Sequence, residues 1–370
     1  MALFSSFFGR PSFEQHVAVF GESGSGKTTL LSVFYGSQQA ANFTKLHGYS
    51  LLADDTTQGN RMLQAYHRIS EDKLPPATKY QHVPFVFKVR ANGSTVDAGR
   101  VVWHDYPGEW WTETKAGEEA DRKNTAFRDL LGSDLAILLV DGVKYRDQGK
   151  NYLTHLLKSF RDEIERLRSN YLEPHLPLTS FPRVWLIALS KADALPGKTV
   201  EWFRDEVIKN ANEEVHALRE TLKSLVTRPD CLALGEDFLL LSSAQFDDAA
   251  SKVIDASKRL GVDVISPLSV TAPLQWARRW SQVEKHGERV TVLTLEGLRG
   301  VTTAWMRWIP FIGGFFDLLD ESAKQGIDGL KKAQQTAVAK GENIDAVLAA
   351  FIARLKESKD KLVYLSSVNR

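Results

Sequence analysis

The residues best equipped for chemistry are gathered in Gly21-Glu22-Ser23-Gly24-Ser25-Gly26-Lys27-Thr28, which sets three glycines, a lysine and a hydroxyl at fixed spacing. Glycines 21, 24 and 26 allow successive backbone N–H groups to curl around the oxygens of a polyphosphate. Lys27 supplies a point charge for the β and γ phosphates, and the Thr28 hydroxyl is a hard oxygen ligand for Mg²⁺. A cradle of this kind works at a strand-to-helix junction, where the helix N-terminus adds its own partial positive charge. The flanks meet that need: His16-Val-Ala-Val-Phe20 reads as a short buried strand, and Thr29 to Phe34 as the first turns of a helix. Residues 21–29 are therefore the expected polyphosphate site.

A second group of reactive residues follows a predicted hairpin. Val83–Arg90 and Val96–Trp103 read as strands joined by a turn containing Asn92-Gly93, and the second strand runs into His104-Asp105-Tyr106-Pro107-Gly108-Glu109. An aspartate at the carboxyl end of a strand beside the cradle can hold Mg²⁺ through water, and Gly108 can offer its N–H to a γ phosphate. This stretch resembles the Asp-x-x-Gly motif of the P-loop GTPases of the translation-factor and Ras-like class. Downstream, Phe181–Leu189 reads as a buried strand ending in Ser190-Lys191-Ala192-Asp193, similar to the Asn/Thr-Lys-x-Asp motif of the same class. The resemblance implies that Asp193 accepts hydrogen bonds from guanine N1 and N2, while the Lys191 stem lies along base and ribose. Ser190 departs from the usual Asn or Thr, keeping the threonine hydroxyl but lacking the asparagine amide. Phe238-Leu-Leu-Leu-Ser242-Ser243-Ala244 looks like the last strand of the class and its Ser-Ala loop. There the backbone N–H groups at Ser243 and Ala244 would meet guanine O6.

The same resemblance implies a switch threonine that binds Mg²⁺ and touches the γ phosphate. Thr78, in Leu74-Pro-Pro-Ala-Thr78, is the topological match, and Thr56 or Thr57 is the alternative. Between them Met62, Ala65, Tyr66 and Ile69 recur at helical spacing, which marks an insertion of some twenty residues relative to a minimal Ras-like domain. Insert, Leu-Pro-Pro-Ala-Thr and Asp-x-x-Gly-Glu together look like bacterial double-GTPase and stress-protein-type relatives. Glu109 stands where Ras-like proteins place the water-orienting glutamine; a carboxylate there implies slow intrinsic hydrolysis. The implied catalytic set is Lys27, Thr78, Gly108 and Glu109, and the metal set Thr28, Thr78 and Asp105. Trp110 and Trp111 follow directly and read as anchors of the switch helix.

These residues need a scaffold. Ser133–Asp141 supplies a further central strand, followed by a charged helix at roughly Lys150–Tyr171. Near-continuous apolar runs alternating with helices predict a mostly parallel sheet covered on both faces, a three-layer α/β/α sandwich with ligands at the carboxyl ends of the strands. The expected organisation is an N-terminal segment 1–13, a GTPase domain 14–285 with a helical insertion at about 50–75, and a mainly helical C-terminal extension 286–370. A closing helix is expected at Pro273–Ser281, and apolar residues from Ile344 to Leu362 predict an amphipathic helix over 343–366.

The 370 residues, 43% hydrophobic and 25% charged with a formal net charge of +1, describe a globular protein with no global basic footprint for nucleic acid. A single cysteine, Cys231, excludes an internal disulfide and a thiolate metal cluster. No secretory leader, lipidation signal or membrane-length apolar run is recognised, so a cytoplasmic location is expected. Aromatic residues at 304–316 could meet a lipid interface, but acidic flanks favour internal packing. The reading is thus a Mg²⁺-dependent, GTP-binding and GTP-hydrolysing switch acting on a protein effector or regulator, without nucleic acid. The alternatives are an ATPase with the same cradle or a membrane-associated, dynamin-like GTPase.

Overall fold

The computed structural model describes residues 13–71, 84–105, 132–171, 184–225, 232, 234–247, 252–271, 326–359 and 361–366. The expectations placed on Thr78, Gly108, Glu109, Trp110, Trp111, the helix at 273–281 and the aromatic stretch 304–316 lie outside these residues. In chain order the described elements are β1 (Phe13–Phe20), α1 (Lys27–Gln38), α2 (Phe43–His47), β2 (Tyr49–Ala53), α3 (Thr56–Ser70), β3 (Phe85–Ala91) and β4 (Asp97–His104). There follow β5 (Leu135–Asp141), α4 (Gly142–Gln148), α5 (Lys150–Tyr171), β6 (Val184–Ser190), α6 (Val200–Lys223), β7 (Asp237–Leu240), β8 (Gln245–Asp247) and β9 (Lys252–Asp255). Helices α7 (265–271) and α8 (326–340) precede α9 (Asn343–Ser358) and β10 (Val363–Tyr364).

Eight strands form one sheet in the order β10-β7-β6-β5-β1-β4-β3-β2. The five from β7 to β4 run parallel; β3 is antiparallel to both β4 and β2, and β10 is antiparallel to β7. The fold is α/β, as the apolar runs predict. Its central strands read as unbroken apolar stretches because side chains alternate between two cores. Val17, Val19, Ile137, Leu139, Leu186 and Ala188 join one core with α1, α7 and α9. Ala18, Phe20, Leu138, Val140, Ile187 and Leu189 join the other with α5 and α6. Every residue of β5 and β6 is buried, which holds their carboxyl ends in place for the loops that follow.

The stretch with helical spacing forms α3, preceded by an edge strand, β2, that the apolar pattern does not reveal. Asp55 caps α3 by accepting from Thr57 N (2.7 Å) and Gln58 N (3.3 Å). The helix packs on α1 where Gly36 leaves room for Tyr66: a Cβ at that glycine would sit 2.2 Å from the tyrosine ring. The Gln39 amide donates to Leu51 O at 2.8 Å and so occupies part of the outer edge of β2.

The C-terminal amphipathic helix is shorter than its periodicity suggests. It ends at Ser358, and Leu362, which fits the helical spacing, lies beyond it, accepting a hydrogen bond from Leu240 N at 2.9 Å. Its apolar residues, among them Val347, Leu348 and Phe351, belong to the core beside α1, and the Phe351 ring meets Tyr49 edge-on at 4.7 Å. With 16 residues α9 is about 24 Å long. That is enough to cross the four strand spacings, about 19 Å, from β4 to β7. The chain then turns back as β10. Among the described residues no helix is long and apolar enough to cross a membrane.

Candidate nucleotide site

The loop between β1 and α1 has the backbone conformation its glycines foreshadow. Gly24 and Gly26 sit at φ 80° and 93°, where an L side chain is strained, and Gly26 is the N-cap of α1. Gly21 is needed for a different reason: a Cβ there would approach Ser25 Oγ to 2.6 Å and Leu139 Cβ to 3.2 Å. The Lys27 ammonium donates to Gly21 O (2.6 Å) and Glu22 O (2.9 Å), folding back across the loop. Glu22 places a carboxylate in a loop suited to anions, and Lys144 at the start of α4 neutralises it at 2.7 Å.

The second loop cluster forms at the ends of β6 and β7. Lys191 has φ 51°, the one non-glycine residue with positive φ among those described, and a 3₁₀ turn over Ala192–Ala194 follows it. Both oxygens of Asp193 are oriented: Oδ1 accepts from Ser242 Oγ at 2.6 Å and Oδ2 from Phe246 N at 2.9 Å. Ser190 Oγ donates to Val140 O at 3.2 Å, so the hydroxyl in place of the usual amide ties this loop to β5.

A cavity of about 250 Å³ opens between the two clusters. Gly24, Ser25, Gly26 and Thr29 line it from the cradle, and Ser190, Lys191, Asp193 and Ser243 from the base side. Ser25 Oγ is buried there without a hydrogen-bond partner among the described residues. Leu30, Leu139, Val143 and Leu241 supply apolar walls suited to a planar ring. Ala244 is fully buried, and its carbonyl oxygen lies 2.6 Å from Ser242 Oγ, competing with Asp193 Oδ1 for the single hydroxyl hydrogen. Ser242 and Phe246 also line the cavity and were not among the expected binding residues. Ser242 lies in the recognised Ser-Ser-Ala stretch, whereas no local pattern marks Phe246.

The family model described as Double-GTPase 2 matches residues 15–227, more than half of the chain and inclusive of the cradle, Asp105 and Asp193. The chain belongs to the Double-GTPase 2 family. The family is one of GTPases by its description, and the match spans every phosphate- and base-side motif named above except the Ser243-Ala244 loop. No curated protein matches the chain. Among solved structures it is similar to Era in complex with MgGDPNP and nucleotides 1506–1542 of 16S ribosomal RNA. Identity there is 12% over 77% of this chain and 60% of that one, with a TM-score of 0.30. It is also similar to the GTPase-like domain of S. cerevisiae Ski7 bound to GDP and inorganic phosphate, with 13% identity over 77% of this chain and 52% of that one and a TM-score of 0.31. The chain thus spans 60% or less of the length of these two structures.

In this Double-GTPase 2 member the metal-binding candidates fit Mg²⁺ in kind. The Thr28 hydroxyl and the Asp105 carboxylate are hard oxygen donors. Asp105, at the end of β4, is 2% exposed and close enough to Lys27 to stabilise its charge. Thr56 and Thr57 follow β2, the edge strand three places from β1 in the sheet, and begin α3, which packs on α1.

Burial is the main influence on Lys27, bringing its pKa down to about 8 against the opposing pull of Asp105 and Glu22, with Lys144 adding to the decrease. A bound triphosphate restores the preference for the charged ammonium, so nucleotide binding takes up a proton between pH 8 and the ordinary lysine value. At pH 9 the expected uptake is close to one proton per nucleotide and at pH 7 close to none, and affinity falls as pH rises above 8. Calorimetric enthalpies measured in buffers of different ionisation heat read this directly; no buffer dependence at pH 9 would refute it.

Proposed function

We propose that this GTPase is a Mg²⁺-dependent molecular switch with slow intrinsic turnover, whose nucleotide state controls the binding of a protein effector or regulator. The observation that carries the reading is the single cavity shared by the phosphate cradle and the oriented Asp193. In this reading the backbone of residues 21–28 and the Lys27 ammonium hold the phosphates, and Thr29 borders the site. Thr28, Thr78 and Asp105 hold Mg²⁺, which when bound neutralises phosphate charge. Asp193 reads the guanine N1 and N2 hydrogens, Lys191 lies along the ring, and the loop at Ser243 and Ala244 approaches O6. Gly108 senses the γ phosphate and Glu109 faces the attacking water, where its negative charge keeps turnover slow.

Residues 14–285 form the GTPase domain in this proposal and 286–370 an extension, of which residues 343–364 help complete the same core and sheet. A protein partner in the cytoplasm is proposed over RNA because a net charge of +1 gives no global basic footprint. The test is calorimetric titration with GTP, GDP, ATP and ADP, with and without Mg²⁺. Guanine nucleotides should bind at least a hundredfold more tightly than adenine nucleotides, and GTP should weaken markedly when the metal is chelated. Equal affinity for ATP and GTP would overturn the reading.

A further inference from the structure

One buried carboxylate beside the base site has no part in the roles assigned above. Asp141 is the last residue of β5, opposite Ser190 in the register with β6, and its side chain is 2% exposed. Its Oδ2 accepts from Lys191 Nζ at 2.6 Å. Its Oδ1 accepts from Val143 N (3.0 Å) and Lys144 N (3.3 Å), capping α4, and its own N–H donates to Tyr152 Oη at 3.1 Å. The carboxylate is therefore fixed from several sides, while the lysine it holds is one-third exposed and lines the cavity.

The backbone is arranged for this contact. Gly142 brings the end of β5 so close to the loop after β6 that a Cβ would lie 2.6 Å from Lys191 O and 2.7 Å from Ser190 O. Lys191 itself occupies the left-handed region, which aims its side chain back across that junction. A partly exposed lysine ordinarily samples many rotamers, and a ligand lying on its stem must immobilise it. The ion pair does so in advance.

We propose that Asp141 is a positioning residue for the guanine site, tethering the Lys191 ammonium so that the lysine stem forms a preset wall against the base. This rests on the guanine-nucleotide reading of the cavity. The two ideas fail differently: base selectivity of the wild type tests the reading, and the Asp141 variants test the tether.

Asp141→Asn is the informative substitution, because asparagine caps a helix as well as aspartate does but carries no charge for the lysine. It should raise Kd for GTP, GDP and ITP alike, by roughly three- to tenfold, since the stem contacts the ring rather than its amino group. KM should rise with kcat unchanged, and the melting temperature should stay within a few degrees. Lys191→Met closes a double-mutant cycle: in that background Asp141→Asn should cost no further affinity. Wild-type affinity in Asp141→Asn, or an equal loss with and without the lysine, would overturn the proposal, the latter by placing the effect in the helix cap. A wild type that binds no guanine nucleotide would remove the reading and the proposal together.

Discussion

Lys27→Ala is expected to abolish measurable GTP turnover and to weaken triphosphate binding by roughly 10²- to 10⁴-fold, the loss of two charge-assisted hydrogen bonds. The far-ultraviolet circular-dichroism spectrum and the melting temperature change little. The reason is local. In the free protein Lys27 is 7% exposed, its ammonium bonds to the Gly21 and Glu22 carbonyls, and its lowered pKa records that burying the charge is unfavourable. Truncation removes that unfavourable burial and opens the space beside the Gly21 and Glu22 carbonyls to water, so the fold should lose little while the phosphates lose their point charge. Turnover retained in a pure preparation of the variant would show that residues 21–28 do not hold the phosphates.

Asp193→Asn should transfer preference from guanine to xanthine nucleotides, by about tenfold or more in the ratio of affinities. Guanine presents two hydrogens to a carboxylate, and xanthine has a carbonyl in place of the amino group, which an amide N–H can donate to. The surroundings accept the new group. The asparagine oxygen can receive the Phe246 N–H, while its NH₂ faces Ser242, whose hydroxyl turns its own hydrogen to Ala244 O. Competition of GTP and XTP for the purified variant reads the ratio. An unchanged ratio, in a variant that still binds nucleotide, would remove Asp193 from the base site.

The strands that carry the site were legible because they are buried on both faces. β1, β5, β6 and β7 appear as runs of apolar residues with chemistry at their carboxyl ends, and the loops after them hold the cradle and the Ser-Lys-x-Asp stretch. Elements at the sheet edges were not legible. Tyr49-Ser-Leu-Leu-Ala53 is short and partly exposed, and Val363-Tyr364 is too brief to show alternation. α9 ends before its apolar spacing does, because Leu362 serves the sheet edge rather than a helix face. Within the site, motifs identified groups that act through local geometry. Phe246 and Asp141 escaped because each acts on a residue about fifty positions away, Asp193 and Lys191 respectively, and only the folded sheet brings those pairs together.

The clasp made by α9 and β10 bears on how the molecule assembles during synthesis. β7 is translated 123 residues before Val363, its antiparallel partner. At roughly 5–20 residues per second the nascent chain waits about 6–25 s with that sheet edge open and the α9-facing core unroofed. The base-side loops hang from the ends of β6 and β7, so a mature nucleotide pocket forms late, after the ribosome has released residue 364. Deleting residues 343–364 would leave that edge of β7 open for good, and aggregation through it is the expected outcome.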